Sequence, residues 1–154
     1  MTIKKILVTG SSGLIGGEVV NFFSEKIYKV IGIDNNMREI FFGSKGSTLS
    51  NLKRLEKQNK NFTNFNIDIR NRVLVDELIK KEKPDIIVHT AAQPSHDKAA
   101  EIPFLDFEVN ALGTLNLLEA VKNYCRDSVF IHLSTNKVYG DRPNKLDLIE
   151  LDTR

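Results

Sequence analysis

The chain has 154 residues, the length of one domain, and its 41% hydrophobic content is enough to bury a core. The formal charge of +2 is small, and a nucleic-acid partner is not favoured because no aromatic platform or known binding motif accompanies the basic side chains. No apolar run reaches the roughly 18 residues of a membrane span, the opening residues read as a strand rather than a signal peptide, and Cys125 stands alone, so the expected compartment is the reducing cytoplasm.

Lys4 to Val8 reads as a short buried strand that runs into Gly10-Ser11-Ser12-Gly13-Leu14-Ile15-Gly16 and then a helix. Three glycines at this spacing fit a phosphate cradle. Gly10 permits the tight turn, Gly13 lets the backbone approach a pyrophosphate, and Gly16 lets the helix pack close to the strand. The same pattern also serves as a plain connection, so its context matters. Lys29 to Ile33 reads as a second buried strand ending in Asp34, about 20 residues beyond the last glycine, where a carboxylate holds the adenosine ribose hydroxyls and disfavours a phosphate ester. This points to NAD rather than NADP, although Arg38 lies near; the other role open to Asp34 is capping the strand.

A polar, glycine-bearing excursion from Asn35 to Ser50 follows, then a helix from about Leu49 to Gln58. Residues 37 to 60 carry Arg38, Lys45, Lys53, Arg54, Lys57 and Lys60 against Glu39 and Glu56, which suits a solvated helix face or an anion-facing patch. Asn61 to Ile67 is expected to form the third strand, leading to Asp68-Ile69. Val73, Leu74, Leu78 and Ile79 lie at helical spacing. Asp85 to His89 reads as a fourth strand buried on both faces. From Ile102 to Tyr124 the pattern predicts one helix, interrupted only by Gly113 and too apolar for a surface helix, followed by Val129 to Leu133 as the fifth strand. Alternating strands and helices predict a doubly wound parallel α/β sheet of Rossmann type, in the order 3-2-1-4-5. His89, His96 and His132 are not at zinc-ligand spacing, and structural roles are expected for the two on strands.

With the fifth strand in place, the chain resembles the extended short-chain dehydrogenase/reductase family, and within it the NAD-dependent sugar-nucleotide epimerases. The residues that carry the resemblance are the glycine turn, Asp34, Asp68-Ile69, His89-Thr90-Ala91-Ala92-Gln93, Asn110 before Gly113 to Ala120, and Ser134-Thr135-Asn136-Lys137-Val138-Tyr139-Gly140. It implies that Gly10, Ser12, Gly13, Leu14, Ile15, Gly16, Asp34, Asn35, Asp68, Ile69, Ala91, Ala92, Gln93, Asn110 and Ser134 bind NAD. Asp68 would accept from the adenine amino group, with Ile69 on the ring, unless Asp68 only caps a helix. Asn110 would bond across to neighbouring strand backbone, unless it merely faces solvent. Thr135 would hydrogen-bond the sugar hydroxyl being oxidised. Dehydratases follow that threonine with an acidic pair, whereas Asn136-Lys137 stands here, favouring an epimerase. The strings around Thr135 and Gly113 look like the CDP-paratose 2-epimerase group, which makes a CDP-sugar the favoured substrate.

The family's proton-transfer pair is a tyrosine with lysine four residues on, and none of Tyr28, Tyr124 and Tyr139 has it. The expectation is therefore an incomplete NAD-binding domain over residues 1–140. Residues 141–154 would begin the segment leading to an absent catalytic and substrate-binding half, and the chain alone would be inactive. Edge strand Val129 to Leu133 would be left apolar and open to a second copy or a complementing chain. A non-catalytic NAD-binding or interaction module, or a fragment without function, are the alternatives.

Overall fold

A computed structural model describes residues 4–26, 28–147 and 149, with the side chains of Asn136 and Lys137 outside the description. Five parallel strands form one sheet in the order β3-β2-β1-β4-β5, as expected. They are β1 (Lys5–Thr9), β2 (Lys29–Ile33), β3 (Phe62–Phe65), β4 (Ile86–His89) and β5 (Val129–His132). The third strand is shorter than the alternation in Asn61 to Ile67 suggests, because pairing with β2 stops at Ile33↔Phe65.

Alternation along β1 assigns its side chains to two cores. Ile6 and Val8 face Val20 of α1 (Leu14–Ser24) and Leu55 of α3 (Leu49–Gln58). Leu7 faces the other layer with Val75 and Ile79 of α4 (Arg72–Glu82) and Leu117 and Val121 of α7 (Gly113–Tyr124). Both faces of the central strands are thus covered, which is why β1 and β4 read as continuous apolar runs instead of alternating with polar residues. At the opposite end of the sheet from the glycine turn, Glu82 is buried between Lys5 and Lys29.

Three departures from the sequence reading have local causes. The excursion after β2 contains α2 (Met37–Phe42) and a 3₁₀ turn at Ser44–Gly46. Met37 and Phe41 form a four-residue apolar spacing that packs on the core, and Asn36 starts it in the left-handed region at φ 57°. A short helix α5 (His96–Glu101), capped by Ser95 Oγ accepting from Lys98 N, also forms. The long helix over 102–124 is divided into α6 (Pro103–Phe107), a π-helical turn (Glu108–Leu112) and α7. It is also more exposed than its composition suggests: Phe104 is 86% and Phe107 67% exposed, and Leu115 and Leu118 are open as well. The fifth strand is exposed at Val129 and Ile131.

Candidate functional site

The site grows from the end of β1. Gly10 sits at φ +67°, and a Cβ there would lie 2.9 Å from the Ala91 nitrogen, so both conformation and space require glycine. Its N–H donates to the Ile33 carbonyl at 2.7 Å, and its own carbonyl accepts from Gly13 N at 2.9 Å, closing the turn. A Cβ on Gly16 would stand 2.0 Å from the Gly10 carbonyl oxygen, so the first turn of α1 is pressed directly on the loop. The first intrahelical bond is Gly17 N to Gly13 O. The N–H groups of Leu14 and Ile15 precede it and have no acceptor within the helix, and no side chain caps this end. That leaves a ready donor set with the positive end of the helix dipole behind it.

These residues open on a cleft of about 270 Å³ at the carboxyl edge of the sheet, where open α/β folds place their ligands. Eleven of the sequence-predicted residues line it: Gly10, Gly13, Leu14, Ile15, Gly16, Asp34, Asn35, Asp68, Ile69, Ala91 and Ala92. Asp34 is fixed by two backbone donors, Ser12 N to Oδ2 at 3.0 Å and Asn36 N to Oδ1 at 2.8 Å. Each oxygen keeps a further lone pair for a ligand hydroxyl. Asp68 is pinned by Arg70, whose Nε and Nη2 donate to its carboxylate at 3.0 and 2.7 Å. Burial works against the Asp68 charge, but the hydrogen bonds and charge of Arg70 outweigh it and hold the pKa below the ordinary value. Ile69 is tucked beneath the cleft floor against Gly113, where a Cβ would lie 2.6 Å from Ile69 Cδ1.

The remaining predicted residues lie off the cleft lining. Ser12 Oγ is buried at the turn with no hydrogen-bond partner, a polar atom left for something the chain itself does not supply. Gln93 and Asn110 lock the loop after β4: Gln93 N donates to Asn110 Oδ1 at 2.9 Å, Asn110 Nδ2 donates to the Gln93 carbonyl at 3.2 Å, and both side-chain amides donate to Asp106 Oδ1. Asn110 therefore bonds to a loop, where strand backbone was the expectation, because the π turn carries it past the end of β4. Ser134 and Thr135 are exposed and follow β5 on the same sheet edge, beside the segment after β4 by the register His89↔His132. Arg38, noted near Asp34 in the sequence, does line the cleft, whereas sequence reasoning missed Phe41 and Thr48, which close the same end; the Met37–Phe41 spacing was the available signal.

His89 is 2% exposed and joins β1 to α7. Thr114 Oγ1 donates to the Asn110 carbonyl at 2.7 Å, so it accepts from His89 Nε2 at 2.9 Å. That leaves Nδ1 as the acceptor from Thr9 Oγ1 at 2.6 Å. Burial first, and the neighbouring His132 second, push the His89 pKa down to about 4. The imidazole is thus a neutral strut beneath the glycine turn, the structural role expected of it. Among the described residues no group of three His, Cys, Asp or Glu side chains is placed to hold a metal.

Fold and glycine turn together define a doubly wound domain of the Rossmann type. Residues 7–149 match the GDP-mannose 4,6 dehydratase family, and the chain belongs to that family of short-chain dehydrogenase/reductase epimerases and dehydratases. It is 41% identical over 137 residues to the CDP-paratose 2-epimerase of Salmonella typhi, covering 89% of this chain and 38% of that protein. The UDP-glucose 4-epimerase of Thermotoga maritima, solved with UDP-glucose, superposes with a TM-score of 0.73 at 31% identity, over 90% of this chain and 40% of that one. The UDP-glucose 4-epimerase of Bifidobacterium longum, solved with NAD+ and UDP, gives 0.75 at 25% identity, over 89% and 38%. The chain therefore spans about two fifths of the length of these relatives.

Proposed function

We propose that the chain forms the NAD-binding portion of a nucleotide-sugar epimerase. The observation that carries this is the juxtaposition of an uncapped helix N-terminus, at Leu14 and Ile15, with the fixed Asp34 carboxylate across one cleft. The free amides suit a pyrophosphate, Asp34 suits a ribose diol and repels a 2′-phosphate, and the Asp68 side of the cleft suits an adenine amino group. The unpartnered Ser12 hydroxyl fits a ligand lying close against the turn, and the glycines let the loop and α1 pack tightly enough to present the free amides together. Ala91 and Ala92, beside the turn at the end of β4, leave room for it, and Gln93, Asn110 and Ser134 support that edge.

NAD, when bound, supplies a hydride acceptor for a sugar hydroxyl. The part played by this chain's residues is to bind and orient: the turn and Asp34 fix the dinucleotide, and Thr135 accepts or donates a hydrogen bond at the reacting sugar hydroxyl. Asn136-Lys137, where a dehydratase carries an acidic pair, favours epimerisation. The similarity to CDP-paratose 2-epimerase favours a CDP-sugar. A second copy, or a chain supplying a tyrosine-lysine pair, is the partner proposed for the exposed β5 edge, and residues 1–140 the extent of the NAD-binding unit in a cytoplasmic protein. No described helix is long and apolar enough to cross a membrane; neither a membrane nor a nucleic acid is proposed as a partner.

Titration calorimetry of the chain with NAD and NADP tests the reading. NAD is expected to bind at least tenfold more tightly than NADP, and Gly13→Val to abolish the NAD signal. Absence of NAD binding by folded wild-type chain, or an unchanged affinity in Gly13→Val, refutes it.

A further inference from the structure

The glycine turn is held from a side that the glycine motif does not describe. Asn51, on the first turn of α3, reaches across to α1 and donates from Nδ2 to the Ser12 carbonyl at 2.8 Å and, more weakly, toward the Gly13 carbonyl at 3.5 Å. Arg54, one turn further along α3, donates from Nε at 3.1 Å and Nη2 at 2.7 Å to Asn51 Oδ1, and its Nη1 rests on Gln58 Oε1 at 2.7 Å. The guanidinium decides which way the Asn51 amide faces: oxygen toward Arg54, NH₂ toward the loop. The opposite orientation would set Oδ1 against two carbonyl oxygens. Space for this contact comes from Gly17, where a Cβ would lie 2.9 Å from Asn51 Nδ2. Gly17 lies outside the three-glycine spacing, and the turn itself gives no reason for it.

Resting on the dinucleotide reading above, we propose that Asn51, oriented by Arg54 and admitted by Gly17, is a positioning residue for the phosphate-binding amides of the glycine turn. The reason is peptide geometry. In a trans peptide the carbonyl and the following N–H point in opposite directions. Holding the Ser12 carbonyl outward directs Gly13 N–H into its bond with the Gly10 carbonyl. Holding the Gly13 carbonyl outward directs Leu14 N–H to the cleft. The Gly13 carbonyl also accepts from Gly17 N at 2.9 Å, so the group that Asn51 alone holds is the Ser12 carbonyl. Without Asn51 the Ser12–Gly13 peptide is tethered only through Gly13 N–H, and a carbonyl dipole turned toward a pyrophosphate repels it. Asn51 is not among the residues that line the cleft, so it acts only through the turn.

The test is a comparison of NAD with adenosine, which shares the nucleoside but lacks the pyrophosphate, on wild-type, Asn51→Leu, Arg54→Ala and Gly17→Ala chains, by calorimetry for NAD and ligand-observed NMR for adenosine. The expected result is NAD affinity about tenfold lower in Asn51→Leu, the worth of one hydrogen bond to a charged-ligand cradle, with smaller losses of the same kind in the other two. Adenosine affinity stays unchanged throughout. Equal weakening of both ligands assigns Asn51 a general packing role and overturns the proposal, as does unaltered NAD binding. Arg54 is exposed, so its alanine variant keeps the test decisive if Asn51→Leu does not fold. A wild-type chain that binds neither ligand refutes the dinucleotide reading itself, an outcome separate from the other two.

Discussion

His89 makes the folded state sensitive to mild acid. Its hydrogen bonds run in one direction: Thr9 hydroxyl to Nδ1, Nε2–H to the Thr114 hydroxyl, Thr114 hydroxyl to the Asn110 carbonyl. A proton added at Nδ1 displaces the Thr9 donor and leaves a charge 2% exposed beside His132. The pKa accordingly falls from 6.5 to about 4 on folding. Between these values the unfolded chain binds the proton and the folded chain does not, so stability rises with pH across the window and is lost as pH drops through it. A shift of this size corresponds to about 3 kcal/mol over the whole window, of which about 2 kcal/mol is lost by pH 5. Against a total of about 5–15 kcal/mol for a domain of this kind, that is a large fraction.

The assay is urea unfolding followed by far-UV circular dichroism at half-unit steps from pH 7.5 to 4.5, on wild type and His89→Gln. The lowered carboxylates do not confuse it: Asp68 and Glu82, held down by Arg70 and by Lys29 with Lys5, start from 3.8 and 4.5, so their contributions disappear only below those values. Wild type is expected to lose about 2 kcal/mol between pH 7 and 5, with His89→Gln less stable at pH 7 but flat over that interval. A flat wild-type profile, or an equal slope in the variant, would refute the neutral-strut assignment.

Two further outcomes follow from close approaches. Gly16→Ala forces a Cβ to within 2.0 Å of the Gly10 carbonyl oxygen; backbone must move, so a loss of at least about 3 kcal/mol in urea unfolding is expected, with NAD titration flat even where the variant remains folded. Gly113→Ala meets the end of the flexible Ile69 side chain at 2.6 Å, so repacking limits the loss to about 1–3 kcal/mol, and the double variant Gly113→Ala/Ile69→Val should recover part of it in the same assay.

Sheet order and strand positions were legible because burial on both faces writes continuous apolar runs into β1, β2 and β4, with glycine and proline marking their ends. Eleven of the fifteen residues assigned to the cofactor share the cleft because they stand in or just after strands or at the start of α1, where register fixes the backbone. The unread part has one physical character: it depends on side chains that meet through the fold from distant segments. Phe41 reaches the cleft only because Asn36 adopts a left-handed turn and starts α2, and a polar tract with two glycines hides that helix. The Asn51 contact crosses 39 positions of sequence, and nothing within α3 distinguishes it from a solvent-facing amide.

The long apolar segment before β5 teaches the converse. Its composition predicts burial, yet the π turn at Glu108–Leu112 inserts one extra residue in the helical repeat and so rotates the two halves relative to each other. Val109 within the turn and Leu117 and Val121 in α7 are buried in one core, while Phe104, Phe107, Leu115 and Leu118 remain exposed. An unbroken helix would aim Asn110 and Thr114 differently from the way the turn does, and these are the residues that hold the loop after β4 and the His89 imidazole. The irregularity that defeats a simple periodicity reading is therefore what ties α7 to the glycine turn. The apolar composition of this segment does not report core alone, because half of it faces outward.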